Sequence, residues 1–257
     1  MTPRVPRQPP AALPVASIQA RSESRALGHG LAVRSMFDRI AATYDLLNRL
    51  LSFGLDRSWR NRALAALGAR LDAGAPPGPV LDLCAGTLDL SVLTLRRLPG
   101  RAVVATDFAR DMLVRGRAKL RDRGHIAISD AQKLPFRERS FAGAICGFGM
   151  RNLAQPTLGL AEVHRVLKPK GALVVLDFFR PTRATTRAFH ALYGQGVLPA
   201  VGALVSGDRH AYGYLARSMR GFVTRSEFAQ AMRAAGFRDV CETDLTFGVA
   251  SLVGGLK

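Results

Sequence analysis

The chain has 257 residues, 48% of them apolar and 22% charged, with a formal net charge of +18. That is apolar content enough for one sizeable core, and too much for a chain that stays disordered throughout. Cys84, Cys146 and Cys241 form no C-x-x-C and the histidines offer no ligand pair at helical spacing, so no metal site and no disulfide framework are expected, and a reducing compartment is.

Residues 1–32 carry Pro3, Pro6, Pro9, Pro10 and Pro14 and have no long apolar run. They are predicted to be a disordered basic tail rather than a secretory signal, ahead of a single domain over 33–257. An arginine-containing, acid-poor tail also suits an organellar transit segment, but the prolines spoil the amphipathic helix such a segment needs, so a cytoplasmic location is expected. Arg4, Arg7, Arg21, Arg25 and Arg34 against Glu23 give residues 1–34 a charge of +4 and leave +14 spread over the rest. Diffuse positive charge attracts polyanions, either nucleic acid or anionic lipid headgroups. With no five consecutive cations and only 7% aromatic residues, stacking on single-stranded nucleic acid has little support.

Helical periodicity over 34–50 and 56–70 precedes a first strand at 79–84. A helix from 88, a strand at 102–107, a helix over 110–121 and a short strand at 126–129 follow. A fourth strand at 142–148 and a helix over 156–167 lead to Pro169 and Gly171, read as a stop, and to a fifth strand at 172–179. From Ala188 to Gly207 the chain runs without a formal charge. That is the length of a membrane span, but its glycines, Pro199, Gln195 and His190 favour an apolar wall for a greasy ligand or plain buried core. Thr224 and Glu227 have the spacing of a capping box, Gly236 ends that helix, and strands at 238–245 and 247–253 close the pattern. Alternating strands and helices call for an α/β fold with a mostly parallel sheet covered on both faces.

One constellation points to a ligand. The run VLDLCAGTLDLS, Val80 to Ser91, breaks from an apolar strand into a small-residue turn, and Asp107 ends the next strand, RAVVATD. A strand, a tight turn, a helix start and an acid about twenty residues on describe a nucleotide-ribose pocket. Gly86 lets the backbone approach a ligand, and Asp107 offers acceptor oxygens to a ribose diol. The turn does not spell G-x-G-x-x-G, which argues against a dinucleotide and for a phosphate-free nucleoside, with S-adenosylmethionine the common one.

The strings VRSMFDRIAATYDLLNRLLSFGLDRSWR at 33–60, the ribose turn, DAQKLPF at 130–136, GFGMRNL at 147–153, HRVLKPKG at 164–171 and GDRHAYGYLARSM at 207–219 closely resemble the ubiquinone/menaquinone biosynthesis C-methyltransferases. The resemblance runs over about 33–253 in one order. It implies a class I methyltransferase fold, Rossmann-like, with a seven-stranded sheet whose last strand is antiparallel. It also implies S-adenosylmethionine as methyl donor and a ring carbon of a polyprenylated quinol as acceptor, either demethylmenaquinol or a methoxy-benzoquinol of ubiquinone synthesis. Peripheral membrane contact follows from so insoluble a substrate and the basic surface, no nucleic acid partner is expected, and a homodimer is compatible with the chain.

Carried over motif by motif, the resemblance puts Thr87 at the methionine portion of the cofactor, Asp107 at the ribose, and Asp130 with Ala131 at the adenine. Gly86 belongs to the same turn, and Asp82 is expected to organise backbone amides there. Arg151 and Asn152 fall at the quinol. Arg151 would stabilise developing oxyanion charge, with a water taking the proton because guanidinium is not deprotonated, and Asn152 would orient the ring oxygen. Tyr212 and Tyr214 would line the ring or tail site, with Tyr44 and Asp45 on an amino-terminal lid. Against the resembled pattern, Leu88 replaces the second glycine of GTGD and Lys170 the first glycine of KPGG. A weakly active or non-catalytic relative, or an RNA-directed methyltransferase using the basic surface, would share the fold.

Overall fold

The computed structural model describes residues 29–257 apart from residue 42, residues 121–122 and residues 194–208. Residues 1–28 of the predicted tail and most of the uncharged stretch therefore lie outside the described residues, while residues 29–32, expected to belong to the disordered tail, are helical instead. Two helices, α1 (His29–Ile40) and α2 (Tyr44–Leu51), stand where one continuous helix over 34–50 was expected. Apolar periodicity continues through the break and hides it. A third helix, α3 (Leu55–Asp72), follows a turn in which Phe53 and Gly54 both take positive φ. It buries Trp59, Ala63, Leu64, Leu67 and Leu71, one stripe at helical spacing, against the sheet.

The sheet consists of β1 (Val80–Leu83), β2 (Val103–Asp107), β3 (Gly124–Ile128), β4 (Phe141–Gly147), β5 (Leu167–Asp177), β6 (Arg238–Leu245) and β7 (Ala250–Leu256) in the order β3-β2-β1-β4-β5-β7-β6. All pairings are parallel except those of β7 with β5 and β6. The seven-stranded, mostly parallel sheet is thus the one implied above. β5 begins at Leu167, directly after the preceding helix, so Pro169 and Gly171 lie within the strand instead of punctuating it. Side chains alternate between two cores: Leu81, Leu83, Ala144, Cys146, Leu173 and Val175 face one way, and Val80, Ile145, Val174 and Leu176 face the stripe of α3. Helices α4 (Asp89–Arg97), α5 (Arg110–Leu120), α6 (Pro156–Val166), α7 (Ala184–Leu192), α8 (Arg209–Gly221) and α9 (Arg225–Ala234) complete the described elements. Thr224 and Glu227 close the predicted capping box on α9, with Glu227 N donating to Thr224 Oγ1 at 3.2 Å and Thr224 N to Glu227 Oε2 at 2.7 Å.

The two departures from the resembled pattern share one physical property. Leu88 and Lys170, which stand where that pattern has glycine, both keep left-handed backbone, with φ of +68° and +65°. A side chain in that region costs about 1–2 kcal/mol. At Leu88 the cost is offset, because the side chain is fully buried with Leu95, Val103, Leu113 and Leu120. Leu88→Gly is therefore expected to lower stability by about 1–3 kcal/mol in denaturant titration, since the leucine-sized void costs more than the relieved strain returns. A variant more stable than the parent would overturn this account of the turn.

Candidate active site

Order reverses at β1, which has β2 on one side and β4 on the other, so a crevice opens at the carboxyl ends of these strands. The turn after β1 is coiled by three residues of positive φ, Cys84, Gly86 and Leu88. At the end of β2 the buried Asp107 ties this turn to its own: Oδ2 accepts from Gly86 N and Oδ1 from Ala109 N, both at 2.8 Å. Burial pushes the Asp107 carboxyl up to about 6, although these amides work in the other direction. It is ionised at pH 7, and each oxygen retains acceptor capacity for another donor. A small cleft of about 30 Å³ lies against it, lined by Gly86, Asp107, Phe108, Asn152 and, from the amino-terminal helices, Phe37 and Tyr44.

Thr87 is buried, and its hydroxyl donates a short hydrogen bond to Asp45 on α2. The other Asp45 oxygen meets Lys119 Nζ at 2.5 Å, and Lys119 reaches Asp89 at 2.7 Å. Arg60 joins Asp89 at 3.3 Å and Asp56 at 2.9 Å. This chain of charges latches α2 over the cofactor-type turn. Asp45 and Tyr44 thus take part more directly than their sequence context indicated.

Asp82 does not reach the cleft. It lies in the middle of the sheet with no exposed surface, and Oδ2 accepts from the Ser91 hydroxyl at 2.5 Å, with the Ser91 backbone amide also acting on the carboxyl. Oδ1 has no hydrogen-bond partner among the described residues. Burial raises the carboxyl from 3.8 to about 7, with Ser91 opposing the shift. A carboxyl whose folded value is raised favours folding most when protonated. Its contribution is fully present below pH 3.8 and is lost as pH rises through about 7. Asp82→Asn is expected to flatten that decline in unfolding free energy between pH 4 and 7 and to be relatively more stable above it, by on the order of a few kcal/mol. An unchanged pH profile of denaturant midpoints would remove Asp82 as its source.

Asp130 is exposed just beyond β3, its Oδ1 accepting from Gln132 N at 2.8 Å, while Ala131 is buried in the core. Ser129 N donates to Asp107 O at 3.0 Å, which keeps Asp130 at the same end of the sheet as Asp107. Cys84 and Cys146, remote in sequence, become neighbours because Leu83 pairs with Cys146 across β1 and β4. Both are free thiols, and the Cys146 thiol together with burial holds Cys84 well above its ordinary value. A Cβ on Gly149 would overlap Cys84, so the turns after β1 and β4 meet at a position open only to glycine.

Beyond β4, the 3-10 turn Met150–Asn152 carries the two expected quinol residues. Arg151 is buried and pairs with Asp177 at the end of β5, NH1 to Oδ1 at 2.7 Å, while also donating to Phe148 O at 2.5 Å. Its charge lies 5.4 Å from the Phe178 ring centroid and 6.0 Å from that of Phe148. Burial alone would lower the guanidinium value, but the Asp177 carboxylate raises it, so Arg151 is a permanent cation. Asn152 donates to Phe148 O at 3.2 Å and accepts from Tyr214 OH at 3.2 Å. The side chain of Tyr212 lies outside the described residues.

A second cavity, about 90 Å³ and mostly apolar, lies on the other side of this turn. Arg151, Trp59, Phe178, His190, Tyr193 and Met219 line it. Phe148 lines both cavities, Asn152 the first and Arg151 the second. The segment from Phe148 to Asn152 is therefore the wall between a cleft that bears the Asp107 carboxylate and an apolar cavity. Sequence reasoning missed Asp177, Trp59 and Tyr193. Only Asp177 left a signal, an acid ending an apolar strand as Asp107 does.

The sequence pattern of the ubiE/COQ5 methyltransferase family matches residues 22–257. A demethylmenaquinone methyltransferase of Deinococcus radiodurans is 44% identical over 232 residues, covering 89% of this chain and 93% of the relative. A ubiquinone/menaquinone biosynthesis C-methyltransferase of Syntrophotalea carbinolica is 42% identical over 89% and 95% of the two chains. Among solved structures, a SAM-dependent methyltransferase from Thermotoga maritima superposes with a TM-score of 0.58 at 18% identity, covering 87% of this chain and 99% of the other. That likeness shows the class I methyltransferase fold.

Proposed function

Because the chain belongs to the ubiE/COQ5 methyltransferase family, we propose that it moves a methyl group from S-adenosylmethionine to a ring carbon of a polyprenylated quinol in quinone biosynthesis. The observation that carries this reading is the shared wall, Phe148 to Asn152, with an acceptor-bearing cleft on one side and an apolar cavity on the other. Relatives bear both demethylmenaquinone and ubiquinone/menaquinone names, so either ring suits the reading. The acceptor set fits the donor. Asp107 would take the ribose hydroxyls with its remaining lone pairs, the backbone at Gly86 and Thr87 would face the methionine end, and Asp130 with the backbone at Ala131 would meet the adenine edge. Phe37 and Tyr44 bring α1 and α2 to the edge of this cleft.

The bound donor supplies a methyl carbon already activated by its sulfonium. What remains for the protein is orientation and charge. A quinol carbon gains nucleophilicity as the neighbouring hydroxyl ionises, and Arg151, fixed and charged at the cavity wall, lowers the cost of that oxyanion. Arg151 cannot accept the hydroxyl proton, which passes to water; once the methyl has moved, leaving S-adenosylhomocysteine, the hydrogen on the methylated ring carbon would also leave to water and the ring oxygen be reprotonated, which restores the aromatic quinol. Asn152, held by Tyr214 and the Phe148 carbonyl, orients the ring oxygen, and Asp177 acts as the positioning residue for Arg151. The apolar cavity takes the ring and the first part of the tail. A cytoplasmic enzyme resting peripherally on a membrane accords with such a substrate, and no helix of the described residues is long and apolar enough to cross one.

The direct test incubates purified protein with S-adenosylmethionine and detergent-dispersed demethylmenaquinol or methoxy-benzoquinol. S-adenosylhomocysteine and a singly methylated ring are expected from at least one. Failure of both, with the donor bound, would overturn the substrate assignment.

A further inference from the structure

A larger cleft, about 780 Å³, lies elsewhere, between α3, α4 and α5. Six cations line it, Arg49, Arg57, Arg60, Arg96, Lys119 and Arg123, against one acid, Asp89. Arg60 and Lys119 are engaged by the latch described above. Arg49, Arg57, Arg96 and Arg123 are exposed and have no carboxylate partner among the described residues. The neighbouring α2 and the turn after it bear unusual exposed apolar side chains: Leu46 and Leu50, one helical turn apart and about half exposed, and Phe53, 75% exposed. Phe53 also lines the apolar cavity, as does the exposed Leu55. Arg60 lines both the basic cleft and the apolar cavity.

We infer that this face docks on an anionic phospholipid bilayer, with headgroup phosphates in the Arg49–Arg57–Arg96–Arg123 cleft and Leu46, Leu50 and Phe53 in the acyl boundary. The inference rests on the methyltransferase reading and adds to it a binding site and an orientation. Charge complementarity selects the partner: a surface of unpaired arginines attracts phosphate, and desolvated arginine forks match it bidentately. The leucines select among phosphate-bearing partners. RNA would leave Leu46 and Leu50 in water, whereas the bilayer interface buries them beside the cations, as it does for interfacial amphipathic helices. A second copy of the same basic face would be repelled. Docked in this way, the apolar cavity opens toward the lipid phase at Phe53, so a tailed quinol can enter without crossing water.

Vesicle flotation tests the inference on the full chain. The protein is expected to float with phosphatidylcholine vesicles containing about one-third phosphatidylglycerol, to stay down with phosphatidylcholine alone, and to be released by added salt. Arg49→Ala with Arg57→Ala, and separately Leu46→Ser with Leu50→Ser, should each weaken partition about tenfold or more. Both pairs should retain parental affinity for S-adenosylhomocysteine and parental methyl transfer to a detergent-dispersed quinol, because none of these four side chains lines the two reaction cavities. Parental flotation of both pairs, equal flotation on neutral vesicles, or binding of single-stranded RNA without vesicle binding would overturn the docking face. Loss of transfer in detergent by the parent protein would instead sink the enzymatic reading, so the two failures are separable.

Discussion

Asp107→Ala is expected to lower affinity for S-adenosylhomocysteine by at least a hundredfold in calorimetric titration. A charged acceptor gives each ribose hydroxyl a bond worth about 1.5–3 kcal/mol, and losing two such bonds accounts for the factor. The variant also strands the Gly86 and Ala109 amides, which now donate to Asp107 at 2.8 Å each, and unravels the turn that would meet the ligand. The same carboxyl supplies a pH signature. With its value pushed to about 6 in the ligand-free protein, affinity should weaken as pH falls through that point, because the protonated acid loses acceptor strength. Parental affinity in the alanine variant would dismiss Asp107 from the cofactor site.

At the other cavity, Arg151→Lys is expected to bind S-adenosylhomocysteine as the parent does and to lose about a hundredfold or more in turnover. Lysine retains a cation for Asp177 but not the flat fork that lies beside Phe148 and Phe178 and reaches the Phe148 carbonyl. Removing a preorganised donor from a developing oxyanion costs about 100- to 1,000-fold. Alanine at this position is a poorer probe. It leaves the buried Asp177 without its partner, a change worth about 3–5 kcal/mol of stability. Arg151→Met combined with Asp177→Leu removes both charges together, so the fold and the donor affinity should survive while transfer is lost. Parental kcat in either the lysine variant or the double variant would end the role assigned to Arg151.

Local chemistry was legible along the chain. The strand-turn-helix at Val80–Ser91 and the acid ending the next strand at Asp107 were readable, because alternation, turn residues and a strand-terminal carboxylate act over a few residues. Thr224 and Glu227 announced their cap for the same reason. Asp82 was harder to read. It shares a turn motif with Gly86 and Thr87, yet strand alternation sends its side chain beneath the turn to Ser91, away from the cleft. The end of α1 at Ile40 and the new start of α2 at Tyr44 left no mark in the apolar spacing, and the bond from Thr87 to Asp45 in the first turn of α2 left none either.

Sequence alone determined the α/β order of elements and the family, and it singled out the turn at Val80–Ser91 and Asp107 from a short run of residues, while Arg151 and Asn152 were singled out by the resemblance. Tertiary structure decided which of them meet. Arg151 finds Asp177 across twenty-six residues, Lys119 finds Asp45 across seventy-four, and Cys84 lies beside Cys146 only because β1 pairs with β4. The wall that separates a cofactor-type cleft from an apolar cavity has no signature of its own. It exists because parallel pairing brings the ends of β1, β4 and β5 to one edge, and long-range pairing of that kind is set by sheet order, which no local window of sequence contains.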